Sequence, residues 1–158
     1  MKNRVKSKNL PNKLEDKINK VHVDTISDYF EENKDEIVKD EYAFANYMRR
    51  IFKEKGVSQQ KIFLYADIPE RYGYKLVSQE KHTKQRDIIL RICYSAGFTI
   101  EETQKALRLY GMPELYAEFP RDALILVILK DHPGDIIEVN ALLKKNGMQP
   151  LRSSGSMD

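Results

Sequence analysis

Four side chains able to engage a polyanion lie at helical spacing within the stretch Gly56 to Thr83, GVSQQKIFLYADIPERYGYKLVSQEKHT. Arg71, Tyr74, Lys75 and Ser78 stand at i, i+3, i+4 and i+7, so on a helix they share one side, opposite Leu76. Two long cations, an aromatic ring and a hydroxyl suit a helix entering a DNA major groove, where donors meet phosphates and guanine edges. A merely solvated helix face uses the same residue types, and four residues alone do not separate the two readings. Covalent chemistry has less to work with. His22, His82 and His132 are isolated, and no pair of His, Cys or carboxylates has the ligand spacing of zinc. Cys93 shares an apolar helix face with Ile89, Ile92 and Ala96, which marks a buried thiol rather than a nucleophile. There is no glycine-rich phosphate loop and no carboxylate pair for acid-base work. Neither an enzyme nor a cofactor is expected.

The elements that must position the polar face read as two short helices around a tight break. Ser58 is an N-cap for a helix over Gln59 to Ala66, its hydroxyl accepting from an otherwise unpaired backbone N–H of the first turn. Asp67-Ile68-Pro69 breaks that helix. Proline is favoured at the first helical position, so Pro69 is expected to open a second helix that runs to about Ser78. Helices this short need tertiary support. Ile62, Phe63 and Ala66 on the first and Tyr72 and Leu76 on the second are the candidates for packing on each other and on the preceding helix.

From roughly Phe44 to Gly111 the chain resembles the phage-repressor and Cro-like (xenobiotic-response-element type) helix-turn-helix family. The likeness rests on Gly56-Val57-Ser58-Gln59, the apolar Ile62, the break, and the tail Gln79-Glu80-Lys81-His82-Thr83. It implies that Gln59, following the capping serine, touches a phosphate, and that the exposed early residues of the second helix, Glu70, Arg71, Tyr74 and Lys75, read bases. With Gln60, Ser78 and Lys81 these make up the expected DNA-contacting set. The chain departs from the family at Phe63, where alanine is usual, at Asp67, where glycine is usual, and at Gly73, where a buried branched residue is usual. A large residue thus replaces a small one and a small residue a large one, so the Phe63 ring is expected to fill the space above Gly73. The Tyr72-Gly73-Tyr74 triplet, Leu115-Tyr116 and the pairs Arg86-Asp87 and Arg121-Asp122 look closer to a bacterial subgroup of that family.

The chain of 158 residues, 41% of them apolar, can bury one sizeable core. One cysteine permits no internal disulfide and fits a reducing cytoplasm. The longest apolar run, Ala123 to Leu129, is too short to span a bilayer, so no membrane partner is expected. No secretory signal is visible. The net charge of +3 becomes informative when divided along the chain. Residues 1–22 carry seven Lys or Arg against two acids, residues 23–42 two against eight, residues 43–86 ten against four, and residues 87–158 eight against ten. Positive charge therefore gathers on the two-helix stretch and on the amino-terminal end.

In chain order, residues 1–13 read as a flexible basic arm. Residues 14–41 read as an N-terminal helical segment: Leu14, Ile18 and Val21 give a weak period, and Thr25 opens a clearer helix with Asp28 as its acidic N3 partner and Ile26, Tyr29 and Phe30 on one face. Its acidic run from Glu31 to Glu41 is a solvated face or, alternatively, a strip that masks the basic motif. Residues 42–111 form the expected helix-turn-helix domain, whose first helix carries Phe44, Tyr47, Met48, Ile51 and Phe52 inward, keeps Arg49, Arg50 and Lys53 off that face, and ends at Gly56. Arg86-Asp87 starts a helix with Ile89, Leu90, Ile92 and Cys93 inward, and Thr99 to Glu102 is a capping box for the next. Residues 112–151 form a C-terminal helix hairpin packed on that domain: Arg121-Asp122 opens an apolar helix, Pro133-Gly134 turns the chain, and Asp135 to Glu138 caps a last helix ending at Gly147. Residues 152–158 are expected to be a disordered tail.

Thr99 to Leu115 laid over Asp135 to Leu151 at an offset of 36 shares Ile100/Ile136, Glu102/Glu138, Leu107/Leu143, Gly111/Gly147, Met112/Met148 and Leu115/Leu151, and the Arg-Asp pairs repeat at 35. This is a duplicated helix hairpin. Two copies are too few for an independent solenoid and should pack onto the motif domain as one body. The sum is an all-α protein of about seven or eight helices, a helix-turn-helix domain extended by a duplicated hairpin. It is expected to bind double-stranded DNA as a transcriptional regulator. The alternative is a helical adaptor that has lost DNA and binds another protein. A dimer would fit a two-fold operator, but no heptad supplies one. An RNA reading would use tyrosines for stacking, yet Tyr65, Tyr72, Tyr94 and Tyr110 fit core positions better.

Overall fold

The computed structural model of the chain describes residues 13–37 and 41–155. All regular structure among them is helical: α1 (Lys13–Ile18), a 3-10 turn (Val23–Thr25), α2 (Ile26–Glu32), α3 (Ala43–Lys55), α4 (Gln59–Ala66), α5 (Glu70–Val77), α6 (Arg86–Ser95), α7 (Ile100–Tyr110), α8 (Pro120–Asp131) and α9 (Ile136–Lys145). The protein is all-α. These nine α-helices exceed the expected seven or eight because the weak period at Leu14 does form a helix. No helix among the described residues is long and apolar enough to cross a membrane. The basic arm lies outside the described residues except for Lys13, and positions 38–40 of the acidic run lie outside them too.

The chain divides into two compact units, residues 1–39 and residues 40–158. In the first, α1 and α2 enclose no buried apolar side chain among the described residues. Their link is polar: Lys17 donates to Asn33 Oδ1 at 2.6 Å, and buried Asn33 donates in turn to the Tyr29 carbonyl at 2.8 Å. Thr25 departs from expectation. Its hydroxyl donates to the carbonyl of His22 at 3.1 Å and caps no α2 amide, because the 3-10 turn occupies that position.

The second unit is built around α6, in which every residue from Asp87 to Tyr94 is buried. A helix apolar around most of its circumference must be covered on several sides, and α4 and α7 pack directly on it. The inward face of α3 is as the periodicity indicates, whereas α6 buries Asp87, Ile88, Arg91 and Tyr94 in addition to the expected Ile89, Leu90, Ile92 and Cys93. Burial pushes the Cys93 thiol well above its ordinary pKa. α8 and α9 complete the unit: Ile125, Ile128, Val139 and Leu143 join the continuous core, and Leu124 and Leu142 are half-buried against it.

The two hairpin copies interlock reciprocally. Arg86 donates to the carboxylate of Asp122, and Arg121, its counterpart, donates to the carboxylate of Asp87. Arg86 also donates to the carbonyls of Pro113 and Glu114, as Arg121 does to those of Gln149 and Pro150, 36 residues further on. Asp122 accepts from the Tyr116 amide, and Asp87 from the Arg152 amide. Gln104 accepts from the Leu115 amide, and Asn140 from the Leu151 amide. Gly111 and Gly147 both have left-handed backbones. Each copy therefore closes its own end and braces the start of the other, a pseudo-two-fold arrangement made of bidentate charge-assisted bonds. Arg152, expected in a disordered tail, is held through both its amide and its carbonyl.

Candidate nucleic-acid interface

Local sequence sets the helix pair. Ser58 Oγ accepts from the Lys61 amide at 3.3 Å, and α4 spans the expected residues. Asp67 then turns the chain with φ of 56°, a left-handed conformation that aspartate tolerates better than most side chains. Pro69 sits one position earlier than expected. Its ψ of 131° makes it the N-cap, so Glu70 is the first helical residue of α5, and Ser78 is the C-cap.

α5 buries Gly73, Leu76 and Val77 and contacts α3 and α4. The Gly73 position is in intimate contact with Phe63: a Cβ there would lie 2.5 Å from the root of the ring. Phe63, fully buried, also meets the Tyr74 ring edge-on at 5.2 Å. One aromatic side chain of α4 thus sets the approach of α5 and seats one of its outward residues.

Opposite the buried side, α5 exposes Glu70, Arg71 and Tyr74, with Lys75 and Ser78 half-exposed beside them. Lys75 lies 3.9 Å from Glu80, at the outer limit of an ion pair. A solvent-exposed pair of this kind is worth about 0–1 kcal/mol, so a phosphate could take the ammonium at small cost. The Ser78 hydroxyl is less available than its helical position implies. It donates to the Lys75 carbonyl at 3.2 Å and accepts from the Glu80 amide at 3.4 Å, finishing the helix. Gln59 is half-buried at the first position of α4, and Gln60 is exposed next to it. Lys81 is exposed, with its amide bonded to the Lys75 carbonyl at 3.0 Å. Arg71, Tyr74 and Lys75 thus form one surface together, and Ser78 is employed as a cap. On α3, Arg49 and Lys53 are exposed, and Arg50 pairs with Glu54 at 3.1 Å.

Three features are not legible from periodicity. Gln79 has φ of 68°. This turns its side chain onto the start of α3, where Oε1 accepts from the Ala45 amide at 2.9 Å and Nε2 donates to the Glu41 carbonyl at 2.8 Å. Gln79 is thus a tertiary cap joining the end of α5 to α3. Second, buried Arg91 donates to the carbonyls of Ala66, Leu151 and Arg152, tying the end of α4 to the chain after α9. Burial lowers its pKa against the opposing pull of Asp67 and Asp87. Third, Leu64 and Tyr65 on α4 are 74% and 54% exposed. Tyr65, expected in the core with Tyr72, Tyr94 and Tyr110, points outward because α4 turns only Ile62, Phe63 and Ala66 inward.

Two of the three histidines serve packing. His82 stacks on Tyr110 at 4.3 Å and His132 on Tyr94 at 4.1 Å between ring centroids. No cluster of three or more His, Cys, Asp or Glu residues among those described has metal-holding geometry. No protein-family model, curated protein or solved structure matches the chain.

Proposed function

We propose that the unit following residue 40 binds double-stranded DNA with α5 in the major groove and acts as a transcriptional regulator. The observation that carries this reading is the two-sidedness of α5. Gly73, Leu76 and Val77 fix it to the body, and Arg71, Tyr74 and Lys75 face away from that body. The surrounding stretch, residues 43–86, holds ten Lys or Arg against four acids. In this reading Arg71 meets a base edge or a phosphate, Lys75 exchanges Glu80 for a phosphate, and Gln59 and Gln60 contact the backbone from the start of α4.

Phosphate contacts release counterions, so log affinity for a duplex should fall linearly with log salt concentration. Lys75→Ala should lower that slope by about one unit and weaken all duplexes alike. Arg71→Ala should cost about 1–3 kcal/mol and relax sequence preference if it reads a base. Both positions are outward, so both variants should stay folded. A wild-type protein that fails to bind any duplex at about 50 mM salt, where attraction is little screened, would exclude this function.

A second reading, a helical adaptor that binds another protein, is favoured by the outward Leu64 and Tyr65 and by Glu70 and Glu80, which oppose phosphates. It requires the duplex titration to stay flat.

A further inference from the structure

We propose that the groove at the carboxyl-terminal end of the duplicated hairpin is a binding site for a small, multiply charged phosphorylated ligand. The groove has a volume of about 960 Å³ and lies where the start of α6, the start of α8 and the chain following α9 meet. That is the size of a small-ligand site. Lys84, Lys144 and Arg152 line it together with the partly exposed guanidiniums of Arg86 and Arg121. Asp87 is the only acid among the described residues of the lining, and Arg121 already neutralises it at 2.9 Å.

The duplication supplies an internal comparison. On the pseudo-two-fold-related side, the position of Lys144 is held by Arg108, which pairs with Glu114 at 3.0 Å. The counterpart of Glu114 is Pro150, so Lys144 has no such acid. The counterparts of Lys84 and Arg152 are Phe119 and Tyr116, whose rings meet edge-on at 6.1 Å. One copy is charge-balanced and aromatic. The other has exchanged an acid and two rings for a proline and two cations, although the surrounding braces are the same in both.

The floor of the groove is fixed before any ligand arrives. Asp87 accepts from Arg121 and from the Arg152 amide, and Arg91 holds the Leu151 and Arg152 carbonyls. Preorganised walls with flexible amines at the rim suit an anion that several donors can grip at once. The cations converge on one concavity from separate segments. A surface that tracks a nucleic-acid backbone instead spreads them in a stripe, which favours a compact phosphorylated molecule.

The test is calorimetric titration of the full chain at about 50 mM salt, where exposed charges are weakly screened, with inorganic pyrophosphate, a metal-free nucleoside triphosphate and a short duplex. Pyrophosphate or the triphosphate should bind wild type. Lys84→Gln/Lys144→Gln should weaken that binding by about tenfold or more, the loss of two charge-assisted contacts, with an unchanged melting temperature. Arg108→Gln, on the related side, should leave it intact. Arg71→Ala/Lys75→Ala should leave it intact as well, which separates this site from α5. Undiminished binding in the double variant would overturn the assignment. So would the absence of binding by both small anions, including the case in which the duplex alone binds and loses affinity in the Lys84/Lys144 variant, which would make the groove a nucleic-acid contact.

Discussion

Gly73→Ala should destabilise this protein in its natural background and stabilise it once Phe63 is removed. A Cβ at position 73 would lie 2.5, 2.6 and 2.7 Å from Cγ, Cδ1 and Cδ2 of Phe63, against an ordinary contact of 3.4 Å or more. The ring root is the least mobile part of the side chain, and Phe63 is fully buried. α5 must therefore withdraw from α4 by about 0.9 Å, the difference between 3.4 and 2.5 Å. Overpacking of this order costs about 1–3 kcal/mol. Replacing a mid-helix glycine by alanine returns about 0.5–1 kcal/mol of backbone entropy, so the net loss should be about 0–2.5 kcal/mol. Gly73→Ile, with more volume to place, should fall at the upper end. Phe63→Ala alone should cost about 3–5 kcal/mol by opening a cavity. In that background the clash is gone: Gly73→Ala should stabilise by its entropic gain, and Gly73→Ile should recover more by filling the void. Urea unfolding of the four-member cycle measures the coupling. Additivity within about 0.5 kcal/mol, with Gly73→Ala having the same sign in both backgrounds, would refute the claim that Phe63 occupies the glycine's space.

Gln79→Ala should cost about 1 kcal/mol in chemical denaturation, as other lost helix caps do. Gln79→Gly should cost less because glycine relieves the positive φ; equal losses would deny the backbone its part. Asp87→Ala and Asp122→Ala should each cost about 2–3 kcal/mol, since each strands a partly buried guanidinium and a backbone amide. A loss at one site only would break the pseudo-symmetry in energy. Truncation after Lys130 should yield an aggregating or early-melting protein, because it uncovers the core that Ile136, Val139, Leu143 and Leu151 complete. An unchanged melting curve would make the last hairpin a separate module. Burial alone would raise the Glu102 carboxyl, but the Thr99 amide and the Lys55 ammonium, 2.9 Å away, outweigh it and hold the carboxyl below its ordinary 4.5. A depressed folded pKa gives stability that is present above the ordinary value and is lost as pH falls through the folded value. Glu102→Gln should therefore be less stable than wild type at pH 7 and converge with it in acid; a constant gap from pH 7 to about 3 would contradict the linkage.

The amino-acid sequence by itself determined what short-range physics governs. Ser58, Thr99 and Asp135 cap the helices that their spacing predicts because donor and acceptor lie three residues apart. The buried faces of α3 and α4 follow the 3.6-residue period, and buried Cys93 follows its apolar neighbours. The exchange of size between positions 63 and 73 was legible as a packing expectation, and the ring does lie against the glycine. The repeat at offsets of 35 and 36 was visible as identities, but not as a cross-brace. Whether Arg86 pairs with adjacent Asp87 or with Asp122 depends on how two hairpins lie against each other, which no local rule specifies. The same holds for Gln79 reaching 34 residues back to Ala45 and for Arg91 spanning from Ala66 to Arg152. Tyr65 shows the converse: an aromatic residue in a short amphipathic helix looks like core until the surrounding helices leave its side uncovered. On α5 the sequence chose which side chains share a face. The Ser78 cap and the approach of Lys75 to Glu80 are local to the end of that helix; tertiary packing decided that Gly73, Leu76 and Val77 turn inward and Arg71 and Tyr74 outward, because that depends on partners the helix does not carry.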